Sequence, residues 1–252
     1  MTEFLLIRHG ANEYTRKNKL AGWTPEVHLN DHGRAQAAAL GEHLAKRTIN
    51  ALYSSPLERT VETAQAVLIH HPELTLQLLE TVGEVRYGTW QGQELGKLSQ
   101  YKLWRSVQMA PSRVRFPNGE TMREAQMRAV NALEMLYEKH PRGTIAVVSH
   151  SDIIKMIAAH YLGVHLDLFQ RINVSPASLT ILSLSAGRAM LDQLNETSYL
   201  PKEQKPDEHV QAAETSSAEK PELVTGGDDV SDKAADQVVQ ATDTAASVPE
   251  QG

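Results

Sequence analysis

Apolar residues are distributed along the chain in two alternating patterns. Phe4-Leu5-Leu6-Ile7, Ala51-Leu52-Tyr53-Ser54, 144–149 and 179–184 are short, nearly unbroken apolar runs, the form expected of strands buried on both faces. Longer segments of helical period lie between them. Residues 31–47 predict a helix with Asn30 as cap and Ala35, Ala38, Ala39 and Leu44 on its apolar face. Ser55-Pro56 opens another that runs to Leu68, since proline suits a first helical turn. The clearest is 121–139, where Ala125, Ala129, Leu133, Leu136 and Tyr137 form a stripe before Pro141 and Gly143 end it. A last helix over 153–162 stops at Gly163. Strands separated by helices predict an α/β chain, a three-layer α/β/α arrangement around a mostly parallel central sheet.

Charge divides the chain in two. Of the 252 residues, 201–252 carry four lysines against twelve acidic residues, a net of −8, which leaves +2 for 1–200. All 13 aromatic residues lie at or before Tyr199. A segment with so little to bury cannot offset its ordering entropy, so 201–252 is expected to be a disordered acidic tail behind a single domain over 1–200. A near-neutral domain with an acidic tail argues against nucleic acid as a partner. The chain has no cysteine, which excludes a disulfide-stapled scaffold and a thiolate metal site. No run is apolar enough to span a bilayer, and the start lacks a basic leader. The expectation is a soluble cytoplasmic protein with no membrane contact.

Three clusters sit where a strand ends or a helix begins. Arg8-His9-Gly10 follows the first strand, Arg59 lies in the first turns of the helix after Ser55-Pro56, and His150 follows 144–149 directly. Ligands of open α/β sheets bind beyond the carboxyl ends of the strands, where helix N-termini add free N–H donors. Two arginines and two histidines meeting there describe an anion site, phosphate above all. Each has a plainer reading: His9 as one partly buried histidine among eleven, and Arg59 as a salt bridge to Glu58 or Glu62. His70-His71 has no further ligand at metal spacing and is set aside.

Five blocks in order extend this pattern. They are Leu6-Ile7-Arg8-His9-Gly10, then Ser54-Ser55-Pro56-Leu57-Glu58-Arg59-Thr60 with Thr63-Ala64, Glu84-Val85-Arg86-Tyr87-Gly88-Thr89-Trp90-Gln91-Gly92, Pro117-Asn118-Gly119-Glu120-Thr121, and Val148-Ser149-His150. Together they resemble the histidine phosphatase, or phosphoglycerate mutase-like, superfamily over residues 4 to about 184. The resemblance implies that His9 is a nucleophile forming a phosphohistidine. It implies that Arg8, Arg59 and His150 hold the phosphate, and that Glu84 is a general acid whose pKa must be raised by burial or nearby negative charge. Taken alone, Glu84 reads better as a cap or turn carboxylate between Gly83 and Gly88. No metal or other cofactor is implied, because the arginines supply the positive charge, and activity is expected to survive chelator.

The chain departs from the family pattern at two places. Ala11, Asn12 and Thr15 replace an acidic residue, Thr and Asn, which makes Asn12 a candidate phosphate contact. Ser151-Asp152 follow His150 in place of Gly, with Asp152 read as a helix cap or as an electrostatic brake on the pocket. Mutases of the family carry a long insertion after the acid and a Glu-Arg-His-Tyr-Gly motif. Here Glu84 to Pro117 spans 33 positions and the motif is Glu84-Val85-Arg86-Tyr87-Gly88. The implied function is a metal-independent phosphomonoesterase acting on a small phosphorylated metabolite. A mutase-like phosphoryl transferase and a non-catalytic phospho-ligand module are the alternatives. Trp90, Tyr101, Trp104, Arg113, Arg115, Trp23 and His28 are the candidates to touch the rest of the substrate. Oligomeric state is not legible.

Overall fold

The computed structural model describes residues 1–201. The segment expected to be disordered therefore lies outside the described residues, apart from its first position. Six strands form one sheet: β1 (Thr2–Arg8), β2 (Ala51–Ser54), β3 (Leu76–Leu78), β4 (Gly143–Ser149), β5 (Leu179–Ser185) and β6 (Arg188–Glu196). Their order is β3-β2-β4-β1-β5-β6. The first four in that order are mutually parallel, and β5 pairs antiparallel with both β1 and β6. The helices are α1 (Glu13–Arg16), α2 (Asp31–Leu44), α3 (Glu58–Leu68), α4 (Leu95–Leu98), α5 (Lys102–Met109), α6 (Met122–Lys139) and α7 (Ser151–Tyr161). None of the described helices is long and apolar enough to cross a membrane.

The apolar strand runs are continuous because both sheet faces are covered. Successive side chains of a strand point to opposite sides. Phe4 and Leu6 of β1 and Ile145 and Val147 of β4 pack with Ala125, Leu133, Ile153 and Ile157 of α6 and α7. Leu5, Ile7, Ala146 and Val148 pack instead with Leu40 and Leu44 of α2 and Ala64 and Val67 of α3. The predicted three-layer α/β architecture is thus the observed one, with a two-strand antiparallel addition at one edge. The α6 stripe is buried as read, and a reciprocal capping box between Thr121 and Glu124 starts that helix.

Four local expectations are corrected. The buried face of α2 is Gly33, Gln36, Ala37, Leu40, Gly41 and Leu44, while Ala35 and Ala38 are exposed. A hydrophobic count favours alanine, but close approach here requires glycine: a Cβ on Gly33 would lie 1.9 Å from the carbonyl oxygen of Ala11. Helix α3 begins at Glu58 with Leu57 as its cap, so Pro56 precedes the helix. The cap of α7 is His150, not Asp152. β3 and β6 were not anticipated, because one has three residues and the other is a largely exposed edge strand without an apolar run.

Candidate active site

The parallel core of the sheet brings the separated motifs together. Arg8 is the last residue of β1, and the N–H of His9 continues the ladder by donating to Ser149 O at 3.0 Å. His150 leaves the adjacent β4 and caps α7, and Arg59 stands in the first turn of α3. Arg59 Nε donates to His9 Nε2 at 3.3 Å, and its Nη2 donates to Gly22 O at 2.8 Å and lies 3.3 Å from His150 Nδ1. The two imidazole rings are 5.2 Å apart. Thr63 ties the parts together, accepting from Gly10 N–H at 3.1 Å and donating to Arg59 O at 2.8 Å. Arg59 is therefore not paired with Glu58 or Glu62; Glu62 binds His28 and Leu29 N–H.

His9 Nδ1–H donates to Gly10 O at 2.8 Å, which leaves Nε2 as the unprotonated nitrogen turned toward Arg59. Burial, then Arg59 and Arg8, hold the His9 pKa well below the usual histidine range. Burial, then Arg59 and His9, do the same to His150, so it is neutral rather than cationic. His150 is fully buried, bonded through Nε2 to Ser55 Oγ at 2.9 Å, and it backs the cleft without lining it. Three buried N–H groups, Arg8 Nε, Arg59 Nη1 and Asn12 Nδ2, have no hydrogen-bond acceptor among the described residues. Their three side chains line one cleft of about 490 Å³ together with His9 and Glu84. Buried donors are normally satisfied, so three orphans converging on a cleft, two of them cationic, describe an anion site.

Glu84 enters from the loop after a 3-10 turn at Glu80–Val82, and that loop is clamped by its backbone. Glu84 O accepts from Trp23 Nε1 at 2.5 Å and from Arg128 Nη2 at 2.9 Å. Arg128 also reaches Thr81 O and Gly83 O, and its guanidinium pairs with Glu120 at 2.7 Å. The fourth sequence block thus acts through Glu120 on Arg128, and Arg128 on the loop. Gly88 completes the fit: at φ +57° its missing Cβ would lie 2.0 Å from Pro117 O. The Glu84 side chain is 12% exposed, and burial, followed by the charge of Asp152, pushes its pKa up to about 7 against the pull of Arg59.

The distal walls differ from expectation. Trp90 and Trp104 line the cleft as read, but Tyr101, Arg113, Arg115, Trp23 and His28 do not. Arg115 is paired with Glu124 at 2.8 Å on the surface, and His28 is held between Glu26 and Glu62. Trp23 packs under the Arg86 guanidinium at 4.1 Å. Lys19, Gln108, Asp152, Lys155 and Gln170 line the cleft and were not singled out as substrate contacts. Asn12 is buried, caps α1 by accepting from Thr15 N–H at 2.8 Å, and keeps its amide nitrogen free for the cleft. Asp152 accepts from the Tyr87 hydroxyl at 2.9 Å. His71 is a buried structural residue whose Nε2 lies 3.0 Å from Leu44 O. No group of three or more His, Asp or Glu suited to a metal ion occurs among the described residues.

Comparison with known proteins agrees with this arrangement. The chain matches the family model of the histidine phosphatase superfamily (branch 1) over residues 4–197. It is 26% identical over 205 residues to phosphoserine phosphatase 1 of Hydrogenobacter thermophilus, spanning 79% of this chain and 95% of that one. It is 32% identical over 162 residues to phosphoglycerate mutase-like protein 4 of Arabidopsis thaliana, covering 62% and 69% of the two chains. Among solved structures, phosphoserine phosphatase from Entamoeba histolytica in complex with 3-phosphoglyceric acid superposes with a TM-score of 0.73 at 25% identity, over 80% of this chain and 100% of that one. With its model matched from β1 into the last described residues, and its fold reproduced in a member's crystal structure, the chain belongs to the histidine phosphatase superfamily.

Proposed function

We propose that the protein is a phosphomonoesterase that needs no metal and hydrolyses a small phosphorylated metabolite through a phosphohistidine on His9. The observation that carries this reading is the neutral Nε2 of His9, turned toward Arg59 beside three unpaired buried donors. Arg8, Arg59 and Asn12 grip the equatorial phosphate oxygens, and His150 supports them from behind through Arg59. His9 Nε2 attacks phosphorus as the ester P–O bond breaks, and the proton of the Glu84 carboxyl passes to the leaving oxygen. Water then attacks phosphorus, its proton returns to Glu84, and the P–N bond breaks to release phosphate and neutral His9. The raised pKa of Glu84 suits both steps, keeping it protonated before the first and basic during the second.

Relatives named for phosphoserine and a complex with 3-phosphoglyceric acid support a metabolite of that size as substrate. Lys19, Asp152, Lys155 and Gln170, with Trp90 and Trp104 in the same cleft lining, supply polar and apolar contacts for its non-phosphate part. The test is rapid-quench labelling with a phosphodonor, comparing wild type with His9→Ala. An acid-labile phosphoenzyme confined to the wild type supports the reading, and equal turnover by the variant ends it. Isomerisation of 3-phosphoglycerate outpacing phosphate release would assign a mutase instead. Phosphate binding with no turnover across sugar phosphates, phosphoacids, nucleotides and phosphopeptides would assign a binding module.

A further inference from the structure

Two carboxyl groups, those of Glu84 and Asp152, line the cleft, and their surroundings are unequal. Asp152 Oδ2 accepts from the Tyr87 hydroxyl at 2.9 Å, and Oδ1 lies 3.4 Å from the Lys155 ammonium, which also reaches Gln170 Oε1 at 3.3 Å. Glu84 Oε1 accepts only the N–H of Val85, at 2.9 Å. Its Oε2 has no donor within hydrogen-bond reach among the described residues, and His150 Nδ1 is 3.9 Å away. Tyr87 has one O–H to give, and it is given to Asp152.

When two acids share a site, the proton stays on the one whose ionised form is less well stabilised. Here that one is Glu84. We propose that Asp152 is a positioning residue for this proton: with its own oxygens engaged by Tyr87 and Lys155, it places the proton on Glu84 between turnovers. Its use in catalysis rests on the phosphatase reading; the placement of the proton does not.

The other charges facing the pair come from separate elements. Arg8 of β1 and Arg59 of α3 act on Glu84 in the opposite sense to Asp152, and Arg8 also faces Asp152. Neutral His150 stands at the head of α7, and Tyr87 on the same loop as Glu84. Arg128 of α6 engages only the backbone oxygen of Glu84. Asp152 is the anionic partner that opposes the two guanidiniums, and its effect on Glu84 is second only to burial. Of the two readings the sequence allowed for this residue, the helix cap belongs instead to His150.

Infrared difference spectroscopy tests this directly. The carboxylic C=O band removed by Glu84→Gln is followed against pH in the full chain, in wild type, Asp152→Asn and Lys155→Gln. Asp152→Asn lowers the titration midpoint by about one pH unit, and Lys155→Gln, which strips a counter-charge from Asp152, raises it. An unchanged midpoint in both variants overturns the proposal, whether or not the protein hydrolyses any ester. If Asp152→Asn does not fold, Asp152→Ala is measured in its place, with the same lowered midpoint expected and an unchanged one overturning the proposal. Shifted midpoints with no turnover on any ester would uphold the proton placement and remove the phosphatase reading.

Discussion

His9 offers Nε2 to the Nε–H of Arg59 across 3.3 Å while its own Nδ1–H is engaged by Gly10 O, so one bond fixes the tautomer and the other fixes where the unprotonated nitrogen points. Arg59 makes this contact with one nitrogen and holds Gly22 O with another. A lysine cannot divide its single ammonium in this way. Arg59→Ala is expected to lower kcat/KM about 10²- to 10³-fold, and Arg59→Lys to restore little of it, in steady-state assays on the best ester found.

The pH profile follows from Glu84. With its pKa near 7, the protonated acid is lost as pH rises, so kcat/KM falls about tenfold per unit above that point. His9 stays neutral well below the ordinary histidine range and sets no limb near 7. Glu84→Gln removes the basic limb and costs about 10²- to 10⁴-fold on alkyl esters, but much less on p-nitrophenyl phosphate, whose leaving group needs no proton. A basic limb surviving in the variant would contradict the assignment.

The same carboxyl carries a stability penalty. Its folded pKa of about 7 lies above the ordinary value of 4.5, so the folded form binds the proton more tightly. Below about pH 4.5 both states are protonated and no penalty exists. It grows between there and 7 and is complete above. Glu84→Gln is expected to raise stability by about 3 kcal/mol above pH 7, with the gain vanishing in acid, as measured by denaturant unfolding at several pH values.

Gly33→Ala tests how α2 supports the catalytic loop. The added methyl meets Ala11 O at 1.9 Å and must push back the segment that carries His9 and Gly10. Destabilisation of about 1–3 kcal/mol is expected, together with a fall in kcat larger than the change in KM. Thermal melts and kinetics of the purified variant check both.

Arg113 and Arg115 stand outside the cleft, and Arg115 is occupied by Glu124 on the surface. Replacing both by alanine is expected to leave kcat/KM within about twofold, because an exposed ion pair contributes little. A large rise in KM would place the substrate on a wall other than the one lined by Lys155 and Gln170.

Much of this molecule was legible in its sequence for physical reasons. β1 and β4 stand out because both their faces are buried, and the residues at their ends stand out because strand ends are where such folds bind ligands. β3 and β6 left no comparable trace, since a sheet edge asks little of its side chains. The alanines of α2 misled because close packing selected glycine at Gly33 and Gly41. Arg128 was invisible because, apart from Glu120, its partners are carbonyl oxygens, which any sequence possesses. Lys155 and Gln170 reach the cleft from α7 and the turn beyond it, which no local spacing announces.

The register of β1 against β4, with Arg8 opposite Ser149, has a bearing on biosynthesis. A chain still being made on the ribosome owns His9 early but has no neighbouring strand to hold it until β4 has emerged. β5, which flanks β1 on the other side, comes later still. Such distant pairings fold slowly and late. The nascent polypeptide therefore carries the His9 imidazole unassembled until β4 and β5 have both been made, and the cleft forms only then.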